Sequence, residues 1–469
     1  MKILHYLLGT PPVRGGGLVK YALDLAEAQS QEDEVLLLLP GSISFNDKAR
    51  KKIQIKKTGN WKDIPQYKIY NALPIPMGNG ILDIGKFTLP CDGRVYRDFL
   101  LEVKPDVIHI HSLMGLHREF LVEAKSLNIP IIYTTHDYFG ICPTVNLLYR
   151  GCECQEPGLH CGECSKYAFS EKRLLLEQSK VYRMYRSSHL LIEILRMNFL
   201  KNFMKKIRSQ TPEKASEPER NADANNEWMP TGDAYAVLLA YYREMFGYIT
   251  CFHFNSNVTR QIYEQHLGKL PGKVISISNK SVSDKRRIHE SKGKLKIGFL
   301  GGDVAFKGLY CLQKVIAELY EAGKEQIELQ VYGSLEKKEY PFCKYYDAYS
   351  EEERDEVFGR MDILAVPSTW RETFGLVVLE ALSYGVPVIM TDKVGAKILL
   401  EESDDKIGEI LPDEEWAWKE CLEDLYKHRE KIGEYSKNIC QENVNLEYNK
   451  HVEEMKKMLI SVVENRLES

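Results

Sequence analysis

The chain has 469 residues, of which 44% are hydrophobic and 28% charged, and its formal net charge at pH 7 is −4. This length is sufficient for two ordinary domains with full cores, and the composition is that of a soluble globular protein. The nearly balanced charge gives no global reason to expect nucleic acid as a partner, and no segment approaches the roughly eighteen consecutive apolar residues of a membrane-spanning helix.

Two features of the sequence bear on the compartment. The first residues, MKILHYLLG, are apolar, but His5 interrupts the run and no small-residue cleavage pattern follows. We interpret them as a strand and expect a cytoplasmic protein. The eleven cysteines do not form a disulfide scaffold in a chain of this length.

Strand and helix patterns alternate through the first part of the chain. Buried strands are predicted at Lys2 to Leu8, Glu34 to Leu39, Asp106 to His111 and Pro130 to Thr135, and helices at Leu18 to Gln29 and Leu116 to Ser126. This alternation is typical of a doubly wound parallel sheet.

A glycine- and proline-rich loop follows the first strand. Its glycines Gly15, Gly16 and Gly17 permit close approach of the backbone to a ligand. No later glycine completes a Gly-x-Gly-x-x-Gly pattern, which counts against a dinucleotide cofactor. A flexible turn is an equally good interpretation of these glycines.

Three histidines lie in or directly after predicted strands. His109 and His111 belong to the strand VIHIHS, and His136 follows the strand IIYTT. A single histidine is more often structural than catalytic. The position of His136 at the carboxyl end of a strand makes it the functional candidate, and His109 is interpreted as structural.

Five cysteines are crowded into a predicted insertion at residues 138–166. They form the pattern C-x9-C-x-C-x6-C-x2-C, which begins at Cys142. In a reducing compartment, the spacing predicts a structural zinc site made of Cys152, Cys154, Cys161 and Cys164. The alternative is a loop of unpaired or redox-labile cysteines.

The segment from Glu171 to Gln210 is helical in composition and contains ten Lys and Arg residues against three Glu. This pattern fits a solvated basic face, and it also fits peripheral association with anionic lipid at the inner face of a membrane. Residues 209–233 are polar and lack apolar periodicity, so a mobile loop is predicted there.

Three further elements belong to a first domain predicted at residues 1–280. They are a helix at Ala234 to Phe246 that is apolar nearly all round, a strand at Tyr248 to Phe254 and a strand at Lys273 to Ser278. A second domain is predicted at 290–440. Residues 441–469 are predicted to form a helix that either crosses back to the first domain or stays on the second.

The second domain begins with a strand, a glycine turn and a helix in the sequence LKIGFLGGDVAFKGLYCLQKVIAEL. Lys307 lies at the start of this helix. A positive charge there opposes the helix dipole, which favours a functional role for Lys307 over a structural one.

The stretch from Asp362 to Asp392 has the most specific pattern. It contains a strand at Ile363 to Val366, a helix that Thr373 is expected to cap, and a second strand at Val386 to Met390. A rotation of 100° per residue suggests that Glu372 and Glu380 project toward one crevice. In such units, phosphate binds at the amino end of the helix.

The sequence ETFGLVVLE, after a strand that ends in Pro-Ser and before GVPVIMTD, resembles the donor-site motif of retaining glycosyltransferases of family 4. GGGLVKYALDLA and THDYFGICP are similar to the glycine loop and the acceptor-side segment of the same family. The resemblance implies a GT-B architecture, in which two Rossmann-like doubly wound α/β domains face one another across a cleft.

The resemblance also implies roles for particular residues. Glu380 would hold the ribose, Glu372 and His136 the transferred sugar, and Lys307 the leaving diphosphate. The backbone around Phe374, Gly375 and Leu376 would bind the diphosphate, and Gly16 and Gly17 would approach the donor phosphate and the acceptor. Many family members carry an arginine where this chain has Gly302.

The implied reaction transfers a sugar from a nucleoside-diphosphate-sugar to an acceptor hydroxyl, with retained configuration and no catalytic cofactor. The acceptor is expected to be a sugar or a lipid-linked molecule, in polysaccharide or glycoconjugate biosynthesis. The sequence contains no Asp-x-Asp motif, so a metal-bridged diphosphate is not expected. A nucleotide-sugar epimerase of the same fold and a catalytically silent binding subunit are the alternatives.

Overall fold

The computed structural model describes residues 1–76, 78–187, 232–302, 304–333, 337–404, 406–441 and 448–467. These residues form two compact units. Unit 1 contains those within Met1–Tyr149, Cys154–Phe252 and Leu459–Ser469, and unit 2 contains those within Arg150–Glu153 and His253–Met458. The loop predicted at 209–233, except for its last two residues, and the basic segment from residue 188 onward lie outside the described residues.

A mostly parallel sheet forms the centre of unit 1. Six of its strands are β1 (Lys2–Tyr6), β2 (Glu34–Pro40), β3 (Gln54–Trp61), β4 (Ile64–Tyr70), β5 (Val107–Ile110) and β6 (Ile131–Thr134). They lie in the order β6-β5-β1-β2-β4-β3, and neighbours run parallel except for β3 and β4. Strands β5 and β6 are buried along their whole length, as expected for parallel strands with helices on both faces.

The helices of unit 1 connect these strands. They are Gly17–Gln29, Asp47–Arg50, Ile84–Phe87, Arg94–Val103, Arg118–Ser126, Cys161–Cys164, Glu171–Glu177, Lys180–Ser187 and Gly232–Phe246. Four short strands come after β6 in the chain, namely β7 (Leu148–Tyr149), β8 (Cys152–Glu153), β9 (Cys251–Phe254) and β10 (Gly272–Val274).

The second main sheet lies in unit 2 and is entirely parallel. Its strands are β11 (Leu295–Leu300), β12 (Ile327–Tyr332), β13 (Cys343–Tyr346), β14 (Ile363–Val366), β15 (Val388–Thr391) and β16 (Gly408–Leu411), in the order β13-β12-β11-β14-β15-β16. The helices of this part are Asn257–Leu267, Leu309–Glu321, Arg354–Arg360, Leu376–Ser383, Ile398–Glu401, Glu415–Lys427 and Glu430–Gln441. The core of this unit includes Ile297 of β11, Leu329 of β12 and Leu312 of the helix Leu309–Glu321.

The predicted alternation of strands and helices is confirmed in both units, with boundaries shifted by a few residues. The sequence analysis missed the β3–β4 pair, because β3 has the polar sequence QIKKTGNW and is largely exposed at the edge of its sheet. The helix that is apolar nearly all round in sequence, observed at Gly232–Phe246, is buried on one face only. Tyr235, Leu238, Tyr242 and Met245 are buried at helical spacing, whereas Val237 is 60% exposed.

The predicted carboxyl-terminal helix is observed at Tyr448–Leu467. Met455, Met458 and Leu459 are buried on it, and the division between the two units falls after Met458. No helix among the described residues combines the length and the apolarity that crossing a membrane requires.

Candidate functional site

The loop between β14 and the helix Leu376–Ser383 carries the first group of candidate residues. The helix begins after Gly375, whose φ of 98° is left-handed, and no side chain caps it. The expectation that Thr373 caps this helix is therefore wrong. A glycine suits the position because its conformation is left-handed and because a Cβ there would lie 3.0 Å from Val394 Cγ1.

The same loop is held by backbone hydrogen bonds to the turn that follows β15. The N–H of Gly395 donates to Glu372 O at 2.9 Å, and the N–H of Ala396 donates to Phe374 O at 2.6 Å. The Glu372 N–H in turn donates to Lys393 O at 3.0 Å. These bonds fix the backbone that precedes the helix, including the buried Phe374.

Lys307 and Glu372 form an ion pair between the ends of two neighbouring strands. Lys307 Nζ lies 2.6 Å from Glu372 Oε1, and Ser368 Oγ donates to Glu372 Oε2 at 2.7 Å. Strands β11 and β14 are parallel neighbours, so the segments that follow them lie at one edge of the sheet. Sequence analysis identified Lys307 and Glu372 but missed Ser368, whose only signal was its place directly after the strand.

The ion pair lines a cavity of about 220 Å³ within unit 2. Its walls also include Gly301, Ser368 and Leu376, the first residue of the helix. Glu372 is 8% exposed, so its charge is held largely away from water. The cavity thus combines a lysine cation, a buried carboxylate and the amino end of a helix, which is an arrangement that can bind a phosphate-bearing ligand.

Gly308 shapes the turn that presents Lys307. A short 3-10 turn covers Ala305–Lys307, and Gly308 follows with a left-handed φ of 77°. A Cβ on Gly308 would lie 1.7 Å from Pro367 O, so any side chain would displace one of the two segments. Gly302 has no such neighbour, since nothing lies within 4 Å of the position of its Cβ.

Glu380 lies apart from this cavity lining, in the helix Leu376–Ser383. Its Oε1 is 2.9 Å from Arg354 Nη2, and Tyr349 Oη donates weakly to Oε2 at 3.4 Å. The rotation argument that related Glu380 to Glu372 is wrong, because Glu372 precedes the helix and has no helical phase. Sequence analysis also missed Arg354 and Tyr349, which no motif marked.

In unit 1, Gly16 and Gly17 lie where the loop after β1 meets its helix. Gly16 has a φ of 102° and precedes the helix Gly17–Gln29 without a side-chain cap. Nothing lies within 4 Å of the position that a Cβ would take on Gly15 or Gly16, so packing does not require a glycine at either position.

His136 belongs to a chain of hydrogen-bonded side chains that runs into the core of unit 1. Its Nε2 is 3.3 Å from His111 Nδ1, His111 Nε2 is 3.0 Å from His5 Nδ1, and His5 Nε2 is 2.9 Å from Gln29 Oε1. Burial lowers the pKa of His5 to about 4, so His5 is neutral at pH 7. His109 is fully buried and bonded to Thr134 Oγ1 at 2.7 Å, in agreement with a structural role.

The cysteines of the predicted zinc site differ in exposure. Cys161 is buried, Cys154 and Cys164 are partly buried, and Cys152 is exposed. Among the described residues, the group of three potential metal ligands whose donor atoms lie within 4.8 Å of one another is His5, His109 and His111. Both ring nitrogens of His5 and of His111 already have hydrogen-bond partners, which argues against a metal at the histidines.

Two family models match the chain, and together they cover more than half of it. The model described as glycosyl transferases group 1 matches residues 281–439, which include Lys307, Glu372 and Glu380. The model described as glycosyltransferase family 4 matches residues 15–152, which include Gly16 and His136.

Curated relatives match parts of the chain. A phosphatidyl-myo-inositol mannosyltransferase of Propionibacterium freudenreichii subsp. shermanii is 32% identical over 113 residues, which are 24% of this chain and 29% of that protein. An uncharacterized 41.2 kDa protein in the cps region of Klebsiella pneumoniae is 33% identical over 153 residues, or 32% of this chain and 41% of that protein. The chain thus spans less than half the length of these relatives.

Solved structures match nearly the whole chain at low identity. HepE of Anabaena in complex with UDP is 13% identical, and the match covers 98% of this chain and 100% of that chain with a TM-score of 0.55. The catalytic domain of starch synthase IV from Arabidopsis thaliana, bound to ADP and acarbose, is 14% identical, and the match covers 98% and 99% with a TM-score of 0.54. The two family models show that the chain belongs to the group 1 glycosyltransferases, and the solved structures show that it has the GT-B fold.

Proposed function

We propose that this chain is a retaining glycosyltransferase that moves a hexosyl unit from a nucleoside-diphosphate-sugar to an acceptor hydroxyl. The observation that carries the proposal is the 2.6 Å ion pair between Lys307 and Glu372 at the wall of the unit 2 cavity. A fixed cation beside the amino end of a helix is suited to a diphosphate whose charge grows as it leaves.

The candidate residues of unit 2 hold the donor in this reaction. Lys307 binds the diphosphate together with the backbone at Phe374, Gly375 and Leu376. Glu372 holds the transferred sugar, and Glu380 holds the ribose hydroxyls.

The candidate residues of unit 1 complete the proposed set. Gly16 and Gly17 approach the donor phosphate and the acceptor. His136 contacts the transferred sugar in an orientation maintained by its hydrogen bond to His111.

The proposed chemistry needs no enzyme nucleophile and no catalytic cofactor. The bond between the anomeric carbon and the diphosphate oxygen breaks, and its electron pair leaves with the diphosphate. The acceptor oxygen forms the new bond on the same face, and its proton passes to the departing phosphate oxygen. Lys307 stabilises the negative charge that this step concentrates on the diphosphate.

The similar proteins support a donor of this kind and two classes of acceptor. HepE is bound to UDP-glucose in one structure, and starch synthase IV is bound to ADP. Glucose and acarbose are also bound in structures of these two proteins, which favours a sugar acceptor, whereas the similarity to a phosphatidyl-myo-inositol mannosyltransferase favours a lipid-linked one. We propose a role in polysaccharide or glycoconjugate biosynthesis, and membrane association through the basic segment stays a prediction.

Replacing Glu380 with alanine is expected to weaken donor binding about 10- to 100-fold, because the carboxylate accepts charge-assisted hydrogen bonds from the ribose. Thermal-shift titrations of the wild-type chain with UDP-, GDP-, ADP- and TDP-sugars identify the donor, and calorimetry then gives its affinity for the variant. Glu401→Ala, which removes an exposed glutamate of unit 2, is the control and should bind as wild type does.

Glu380→Gln shows whether weaker binding by Glu380→Ala comes from a lost ligand contact or from misfolding. Glutamine keeps the size of the side chain and still accepts a hydrogen bond. If Glu380→Ala and wild type bind the donor equally, Glu380 has no part in the donor site. If no nucleotide-sugar binds the wild-type chain, the proposed function itself is wrong.

A further inference from the structure

Three cysteines of unit 1 are connected to one short segment of backbone, and a fourth shares a helical turn with one of them. They are Cys142, Cys154, Cys161 and Cys164. This set differs from the one predicted from the sequence, because the buried Cys142 replaces the exposed Cys152. The segment is Asn146–Leu148, which follows Cys142 and precedes Cys154 in the chain.

Two of these cysteines bond directly to adjacent carbonyl groups of the segment. The Cys154 N–H donates to Leu147 O at 2.7 Å, and Cys164 Sγ lies 3.7 Å from Leu148 O. Cys161 and Cys164 occupy the first and last positions of a single helical turn, so their side chains share one face.

Cys142 is tied to the same segment through side chains. Its Sγ is 3.2 Å from Thr144 Oγ1, and Thr144 Oγ1 donates to Asn146 Oδ1 at 3.0 Å. The N–H of Leu148 donates to that same Asn146 oxygen at 3.1 Å. Cys142, Cys154 and Cys164 are therefore anchored around residues 146–148, and Cys161 shares the helical turn of Cys164.

Two of the cysteines also accept hydrogen bonds from backbone N–H groups. Gly158 N–H donates to Cys161 Sγ at 3.1 Å, and the backbone of Glu156 hydrogen-bonds to Cys154. Such N–H bonds favour the thiolate form, against the effect of burial.

We propose that Cys142, Cys154, Cys161 and Cys164 bind one zinc ion in a closed tetrahedral site, and that Cys152 is not a ligand. Four thiolates select a soft or borderline metal, and a set of four without an open position is typical of structural zinc. Zinc replaces the four protons and offsets the cost of placing thiolates so close together.

Zinc binding requires the four sulfur atoms to move closer together. Tetrahedral zinc holds thiolate sulfurs about 3.8 Å apart, whereas no three described cysteines bring their sulfurs within 4.8 Å of one another. This movement would require rotation of side chains, for which Cys154 and Cys164 have room because they are only partly buried. The site would then fix the segment after His136, since the Cys142 N–H donates to Tyr138 O at 2.9 Å.

Metal analysis of the full chain, purified without a histidine tag under reducing conditions from zinc-supplemented cells, tests the proposal. We expect about one zinc per chain in wild type and in Cys152→Ser, and a large loss in Cys142→Ser and Cys161→Ser. Absence of zinc from wild type would overturn the proposal, as would loss of zinc from Cys152→Ser with retention in Cys142→Ser.

Cobalt gives a second readout that does not depend on the folding of a variant. Co²⁺ added to the wild-type chain after removal of zinc should give the thiolate-to-metal charge-transfer absorption of four sulfur ligands. Cys152→Ser should leave this absorption unchanged, and Cys142→Ser, if it folds, should lower it by about a quarter. Absence of a thiolate band from wild type would contradict a cysteine site.

Discussion

Replacing Lys307 with methionine is expected to lower kcat for sugar transfer by about 100- to 1,000-fold, the usual cost of removing one fixed group that stabilises the transition state. Methionine keeps the approximate length of the side chain and removes its charge. The leaving diphosphate then loses the cation whose Nζ lies 2.6 Å from Glu372 Oε1. Steady-state rates of nucleoside diphosphate release measure the effect.

Two variants make the Lys307 result interpretable. Lys307→Arg keeps the cation and should retain more activity than Lys307→Met. Lys314→Met removes a lysine whose partner, Glu415, is exposed, so it should leave kcat unchanged. A Lys307→Met variant that folds and transfers sugar at the wild-type rate would show that Lys307 does not stabilise the leaving group.

Replacing Gly308 with alanine is expected to destabilise unit 2 by more than about 3 kcal/mol and to abolish most of the activity. The added Cβ would lie 1.7 Å from Pro367 O, and the φ of 77° is unfavourable for alanine. The turn must therefore move, and Lys307 moves with it. Chemical denaturation and the transfer assay measure the two consequences.

Gly302→Ala is the matched control for Gly308→Ala. It lies in the same loop, but its Cβ would meet no atom within 4 Å, so we expect a change within about 0.5 kcal/mol. Equal stability of Gly308→Ala and Gly302→Ala would contradict the described packing of this turn against Pro367.

Buried parallel strands were the features that the sequence predicted best. β14 and β15 are short apolar runs with proline, glycine or serine on one side and an aspartate on the other, and their length and these flanking residues favour strands over helices. β3 was not predicted, because an edge strand that is exposed to solvent needs no apolar face and therefore shows no apolar pattern. The local sequence pattern therefore predicted the central strands of the sheets better than the exposed edge strand.

Lys307 and Glu372 were predicted as site residues, but the contact between them was not. Lys307 and Glu372 are 65 residues apart, and their placement after neighbouring strands of a parallel sheet brings them together. The partners of Glu380 and the histidine chain behind His136 depend on tertiary packing, which no short motif records. The predicted cap at Thr373 was wrong because a left-handed glycine, Gly375, directly precedes the helix.

Proton NMR of slow donor hydrolysis by the wild-type chain tests the central claim most directly, because it needs no acceptor. With the donor identified by thermal shift, the anomer of the released sugar is recorded before mutarotation. The account predicts that the anomer of the donor appears first, together with the nucleoside diphosphate. First appearance of the opposite anomer would contradict retention, and absence of release from every donor would contradict sugar transfer.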